Sequence, residues 1–300
     1  IPLYSPSILA LPGGRLVAAY ERAGPARANN APYAFVLTSD DQGKTWTQRG
    51  ALRMTHARVF AAGKSLYYLG HRGDLQVARS DDRGETWSEQ VALTKGQSWH
   101  QSACNVWHAN GHVYLVMERR TSTENKAWPV GALAPVLLRA RADADLTKRE
   151  SWTFASELVF SDLIAGYKQN EPALEMFGVP FFKQGYPDRA PVSTTPKRRT
   201  MSPMGWLETN VVQITDPNHV WFDASGHTFH LFMRAHTGGT GYAALAKVVE
   251  QPDGSMTTQL ERAPSGKTML FLPMPGGQMR FHVSYDAKTK LYWLLSSQAT

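Results

Sequence analysis

The octapeptide Ser39-Asp40-Asp41-Gln42-Gly43-Lys44-Thr45-Trp46 recurs almost unchanged as Ser80-Asp81-Asp82-Arg83-Gly84-Glu85-Thr86-Trp87. Trp46 and Trp87 stand 41 positions apart, a period that suits one four-stranded propeller blade of roughly 40–45 residues. Each copy reads Ser-x-Asp-x-Gly-x-Thr-Trp, and the pattern has a local physical cause. An aspartate can accept hydrogen bonds from the backbone of its own turn, glycine supplies a positive φ, and the indole buries against the blade. Asp41, Gly43, Trp46, Asp82, Gly84 and Trp87 are therefore expected to be a folding device between third and fourth strands, away from any active face.

With the tryptophans as rulers, the rest of the chain falls into the same rhythm. The first blade places strands at 5–11, 15–21 and 33–38 around the turn Pro12-Gly13-Gly14, and the second at 57–62, 65–70 and 75–79. Alternation with β-branched and aromatic content supports strands throughout. A third blade runs from His100 to Phe160, with Asn110-Gly111 as its first turn and a decayed octapeptide at Asp143-Ala144-Asp145 before Trp152. The fourth starts near Trp206 and turns at Ala224-Ser225-Gly226 and Pro252-Asp253-Gly254, and a fifth begins at Gln278 with its second strand at 291–297. The expected fold is all-β, one propeller domain over 1–300, with about six blades when complete and about four and a half present. Because an open ring leaves sheet edges exposed, the chain is expected to lack a further blade at its C-terminus and a leader before Ile1.

A net charge of +7 and a pI near 9.5 favour an acidic partner. The basic residues are scattered, and the densest run, Lys197-Arg198-Arg199, reads as a solvated loop, so nucleic acid is not expected. Cys104 is the only cysteine, which excludes an internal disulfide and a cysteine-based metal cluster, and its strand-like apolar surroundings predict a buried, inert thiol. There is no apolar run long enough to span a membrane. No cofactor is implied. No metal is expected either, since His71, His100 and His236 lack metal-ligand spacing, while His112, His227 and His230 read as structural.

In a propeller the starts of inner strands and the ends of second strands meet on one face. Here the inner starts carry Ser5, His56, His100 with Gln101, Glu208 with Asn210, and Arg280 with His282. The second-strand ends carry Glu21 with Arg22, His71 with Arg72, Glu118 with Arg119 and Arg120, Arg234 with His236, and Gln298. Arginine grips carboxylates bidentately and histidine exchanges protons near neutral pH, so such a rim suits an anionic sugar. Residues 161–205 interrupt the rhythm on the same face. With Pro172, Pro180, Phe181, Phe182, Tyr186, Pro187, Pro191 and Pro196, besides Glu171, Asp188 and Arg189, they are expected to form a lid.

The octapeptides match the Asp-box. Together with the opening Tyr4-Ser5-Pro6-Ser7-Ile8-Leu9-Ala10-Leu11-Pro12-Gly13-Gly14 and Glu208-Thr209-Asn210-Val211-Val212-Gln213-Ile214, they make the chain resemble the sialidase superfamily over essentially its whole length. By that resemblance, Glu208 corresponds to the glutamate that assists a tyrosine nucleophile and Arg234 to one arginine of the carboxylate-gripping triad. The slot for the family's opening Arg-Ile-Pro reads Ser5-Pro6 here, the aspartate acid has no counterpart in 22–32, and Tyr285 and Tyr186 are the candidate nucleophiles. The resemblance thus implies a divergent, secreted or periplasmic glycosidase acting on an anionic or deoxy sugar.

In that reading Arg234 and Arg280 hold a carboxylate, Glu208 is base or activator, and His100, then His236 or His56, supplies the proton. His282, Asn210, Arg72, Arg119 and Gln101 complete the expected substrate contacts. A propeller-type lyase on uronate glycans, with histidine or tyrosine removing the C5 proton, and a non-catalytic glycan-binding propeller are the alternatives.

Overall fold

Each repeated octapeptide closes on its own side chains. The computed structural model describes residues 3–22, 31–100, 104–123, 130–168, 171–175, 191–192, 199–200, 205–235 and 242–297. In the first turn Asp41 accepts hydrogen bonds from Thr45 N (2.9 Å) and Thr45 Oγ1 (2.6 Å), while Ser39 Oγ accepts from Gly43 N (2.8 Å). Asp82, Thr86, Ser80 and Gly84 repeat the pattern. The bonds from Thr45 and from Thr86 hold the carboxyls of Asp41 and Asp82 down at about 2. Of the two indoles only Trp87 packs against the blade as expected. Trp46 Nε1 donates to Gly43 O, but the ring stays 38% exposed, whereas Trp87 is half-buried against Tyr68 and Gly50.

Among the described residues strand makes up 52% and helix 5%, an all-β fold built of four- to five-stranded antiparallel sheets. The chain divides into two compact units, Ile1–Val113 with Arg139–Trp152, and Tyr114–Leu138 with Thr153–Thr300. In the first unit, β1 (Leu3–Ala10), β2 (Leu16–Arg22), β3 (Ala34–Ser39) and β4 (Thr47–Leu52) form one antiparallel meander. A second is built from β5 (Thr55–Ala62), β6 (Ser65–Arg72), β7 (Asp74–Ser80) and β8 (Val91–Ala92). Their alternating residues interleave in one core: Val17, Ala19, Val36, Met54, Val59 and Tyr68 are all buried in it. Complete burial of each larger apolar side chain contributes about 1.5–3 kcal/mol, which is what keeps the two sheets face to face.

The third meander follows the order β10 (Trp107–Ala109), β11 (His112–Arg120), β12 (Leu133–Arg141) and β13 (Trp152–Phe154), preceded by β9 (Trp99–His100). The strand expected around Cys104 begins later, at Trp107. Cys104 itself is buried, as its apolar neighbours foretold.

Helix α1 (Phe160–Ala165) and the short strands β14 (Leu174–Glu175), β15 (Pro191–Val192) and β16 (Arg199–Thr200) are what is described of the expected lid. Phe160 anchors its start, buried edge-on to Trp206 at 5.1 Å, and Glu171 accepts backbone N–H bonds from Lys168 and Ala173. Pro180, Phe181, Phe182, Tyr186, Pro187, Asp188, Arg189 and Pro196 lie outside the described residues.

The second unit carries the meander β17 (Trp206–Val212), β18 (Thr228–Ala235), β19 (Tyr242–Glu250) and β20 (Met256–Gln259). The short strands β21 (Glu261–Arg262), β22 (Thr268–Met269) and β23 (Phe271–Pro273) follow, with β23 paired to β19, and then the hairpin of β24 (Phe281–Asp286) and β25 (Leu291–Ser296). Strand starts and turns fall within a few residues of the expected positions in this blade. At the end of β18 away from Ala235, His230 is fully buried, donates through Nε2 to Glu261 at 2.8 Å and stacks on Trp221. Burial would raise the Glu261 carboxyl, but the bonds from His230, Lys247 and Arg262 N outweigh it and hold it at about 2.

Candidate functional site

The inner strands of three blades break their pairing at the same place: between Tyr4 and Ser7, between Thr55 and Arg58, and between Leu207 and Asn210. In each break one residue takes a left-handed backbone, Ser5 at φ 48°, His56 at 52° and Glu208 at 56°. For a non-glycine residue that conformation costs roughly 1–3 kcal/mol, and strain of this kind gathers where function requires a particular side-chain direction. Tyr4, Thr55 and Leu207 pair with Glu21, His71 and Arg234 on the second strands. His71, Glu118 and Arg234 are each the seventh residue of β6, β11 and β18, so Glu118 occupies the corresponding place in the third meander. In the first unit, Glu21 and His71 lie at the strand ends opposite the Asp41 and Asp82 turns.

In the first unit these positions make a histidine site. His56 Nδ1 and His71 Nε2 lie 3.1 Å apart, one donating to the other. The His100 ring sits 4.9 Å from that of His56 and 6.2 Å from that of His71. Beneath them Glu21, 1% exposed, accepts the His56 backbone N–H at 3.2 Å and lies 3.8 Å from His56 Nε2. Gly70 makes this arrangement possible: a Cβ there would stand 2.6 Å from Ala57 Cβ and 2.7 Å from Thr55 O. Arg72 is exposed at the end of β6, next to His71. Gln101 lies outside the described residues.

In the second unit the same positions make a carboxylate–guanidinium site. Glu208, 7% exposed, meets Arg234 Nη1 at 3.4 Å, and Arg234 Nε donates to Gln278 O at 2.9 Å. A buried carboxylate is tolerated because the guanidinium compensates its charge. Gln278 keeps its own Oε1 buried without a hydrogen-bond partner. Asn210 is not directed at a ligand as expected. Fully buried, it stitches β17 to β24, donating to Phe281 O at 3.1 Å and accepting from Val283 N at 3.0 Å.

The first unit makes the corresponding stitches with Ser7 Oγ, which accepts from Val59 N, and with Arg58 Nη1, which donates to Asn105 O. Arg280 lies three residues before Val283, as His56 lies before Val59, which puts it at the place of the strained residues, half-buried. His282 is exposed on β24, and Arg119 pairs with Glu157 at 3.6 Å. Tyr285 packs its ring against Tyr292 at 4.8 Å. His236 and Tyr186 lie outside the described residues.

Sequence reasoning placed Glu21, His71 and Glu118 on the rim but gave none of them a catalytic or substrate role, and the structure gives each a defined partner. Glu118 is fully buried and accepts both Thr209 N (3.1 Å) and Thr209 Oγ1 (2.9 Å). The signal was present, because a charged residue directly follows the apolar run Val113-Tyr114-Leu115-Val116-Met117 and shares its burial, two residues before the strand ends at Arg120. Among the described residues no group of histidines, cysteines or carboxylates is arranged to hold a metal ion. No helix among them is long and apolar enough to cross a membrane.

No protein-family model matches the chain, and no curated protein matches it. Solved structures do. An alpha-L-arabinanase of Penicillium chrysogenum complexed with arabinobiose is 13% identical over 98% of this chain and 75% of its own, with a TM-score of 0.47. The GH93 alpha-L-arabinofuranosidase of Fusarium graminearum is also 13% identical, over 98% and 74%, at a TM-score of 0.48. The NanB sialidase of Streptococcus pneumoniae is 14% identical, over 76% of this chain and 27% of its own, at 0.40. At these identities and TM-scores no residue role passes from those enzymes to this chain.

Proposed function

We propose that this chain is a glycan-acting enzyme, a glycoside hydrolase of the propeller class that works on an anionic or deoxy sugar, with Glu208 at its centre. The observation that supports it is the Glu208 site: a carboxylate withdrawn from water, carried on a left-handed residue and set against Arg234. Glycoside hydrolysis passes through an oxocarbenium-like transition state, which a fixed carboxylate stabilises directly or by activating a nucleophile. Arg234 and Arg280 supply the fork that a sugar carboxylate would engage. The buried, unpartnered Oε1 of Gln278 is an acceptor suited to a sugar hydroxyl. The proton for the leaving group falls to a histidine.

A second reading is favoured by the His56–His71 contact. Two imidazoles sharing a hydrogen bond, with a third ring beside them, could remove the C5 proton of a uronate, as a lyase does. One experiment separates the two. The protein is incubated with sialosides, rhamnosyl-glucuronides and uronate polysaccharides, and reducing ends and the ultraviolet absorbance of an unsaturated uronate are followed. Reducing ends without absorbance, lost by about 10²-fold or more in Glu208→Gln, support the hydrolase. Absorbance lost in His56→Ala supports the lyase. Glycan binding without turnover, unchanged in both variants, would leave a binding propeller.

A further inference from the structure

Glu21 and Glu118 are buried carboxylates that neither reading uses, at corresponding positions of two second strands. Each reaches a backbone N–H of the following inner strand at its strained bulge: Glu21 takes His56 N, and Glu118 takes Thr209 N together with Thr209 Oγ1. The second strands β6 and β18 fill that position with His71 and Arg234, which instead face the strained residue of their own blade. The bulge is therefore gripped from two sides. One blade contributes a carboxylate to its backbone, and its own second strand contributes a partner to its side chain.

A left-handed non-glycine residue persists only where the surroundings over-determine it, and a charged acceptor of two bonds is among the stronger local restraints available. We infer that Glu118 is a positioning residue for Glu208: by holding Thr209 it fixes the left-handed turn and aims the Glu208 carboxylate at Arg234. Glu21 does the same for His56. The effect of Glu118 on turnover rests on the enzymatic reading of Glu208, whereas the restraint itself does not.

The test uses the full chain with Glu118→Ala, Glu118→Gln and Thr209→Val, and with Glu21→Ala for the histidine site. Amide hydrogen exchange is the first readout. In Glu118→Ala, exchange at Thr209 should rise about tenfold or more while Val211 and Val212 keep their protection, and Glu21→Ala should do the same at His56. Turnover is measured on whichever sialoside, rhamnosyl-glucuronide or uronate polysaccharide the wild type cleaves fastest. In Glu118→Ala, kcat should fall about 10- to 100-fold with KM within about twofold, the size expected for a misplaced group.

Glutamine still offers a carbonyl acceptor, so Glu118→Gln should recover to within about threefold. Should Glu118→Ala fail to fold, Thr209→Val decides, because it removes only the hydroxyl bond. A kcat loss of a few-fold at constant KM supports positioning, and an unchanged kcat overturns it. Exchange rising uniformly across β17, or no rescue by glutamine, would also overturn it. If the wild type cleaves nothing, or Glu208→Gln still turns over, the enzymatic reading fails by itself and exchange at Thr209 and His56 alone decides the restraint.

Discussion

The histidine site of the first unit and the carboxylate–guanidinium site of the second are one scaffold with two chemistries. Both stand on a bulge with a left-handed residue, both take a buried glutamate against the bulge backbone, and both pair the strained side chain with the seventh residue of the adjoining second strand. In one place the pair is His56 with His71, and in the other Glu208 with Arg234. The contrast separates the parts the fold requires from the parts chemistry can choose. The bulge and its glutamate recur, while the facing pair is two imidazoles sharing a hydrogen bond in one site and a carboxylate–guanidinium ion pair in the other.

If that division holds, removing a member of the facing pair should cost more where charge is buried. Arg234→Met removes the ion pair to the buried Glu208, and urea unfolding of the full chain should show a loss of about 2–3 kcal/mol, against about 1 kcal/mol or less for His71→Phe. Equal losses would mean that the second site is not held by its ion pair.

The sites also differ in how closely the second strand approaches. The sixth residue is Gly70 in β6 but Met233 in β18. Gly70→Ala should therefore destabilise the protein by about 2 kcal/mol through the clash with Ala57 and Thr55. A smaller cost, with His56 exchange unchanged, would show that the bulge can shift to accept a Cβ.

The smallest effect lies at the other end of the blades. Asp41 and Asp82 have folded values of about 2, below the ordinary carboxylate range near 4. Their contribution is therefore complete above that range and is lost as pH falls through about 2. Thr45→Val and Thr86→Val should raise the pH of acid unfolding slightly without changing turnover at neutral pH. A change in turnover there would contradict the separation of turn and site.

The strand rhythm put Ser5, His56, Glu208, Arg234 and Arg280 at or next to strand ends, because turn residues and apolar runs mark those ends in the sequence. It did not reveal that Asn210 and Glu118 point into buried backbone. A bulge reverses the alternation that a strand's side chains otherwise obey, so a polar residue near it cannot be sorted into rim or interior by counting. The exposed ring of Trp46 was missed for a related reason: the turn's own bonds hold the loop whatever the indole then covers.

What the sequence by itself determined is local. The turns close through bonds that span four residues, from Asp41 to Thr45 and from Asp82 to Thr86, and the blade period follows from their spacing. Only the tertiary structure decided which rim residues restrain and which face a partner. The deciding bonds join His56 to Glu21 across 35 positions and Thr209 to Glu118 across 91, and such contacts exist only once the strained bulges and the neighbouring sheets are in place.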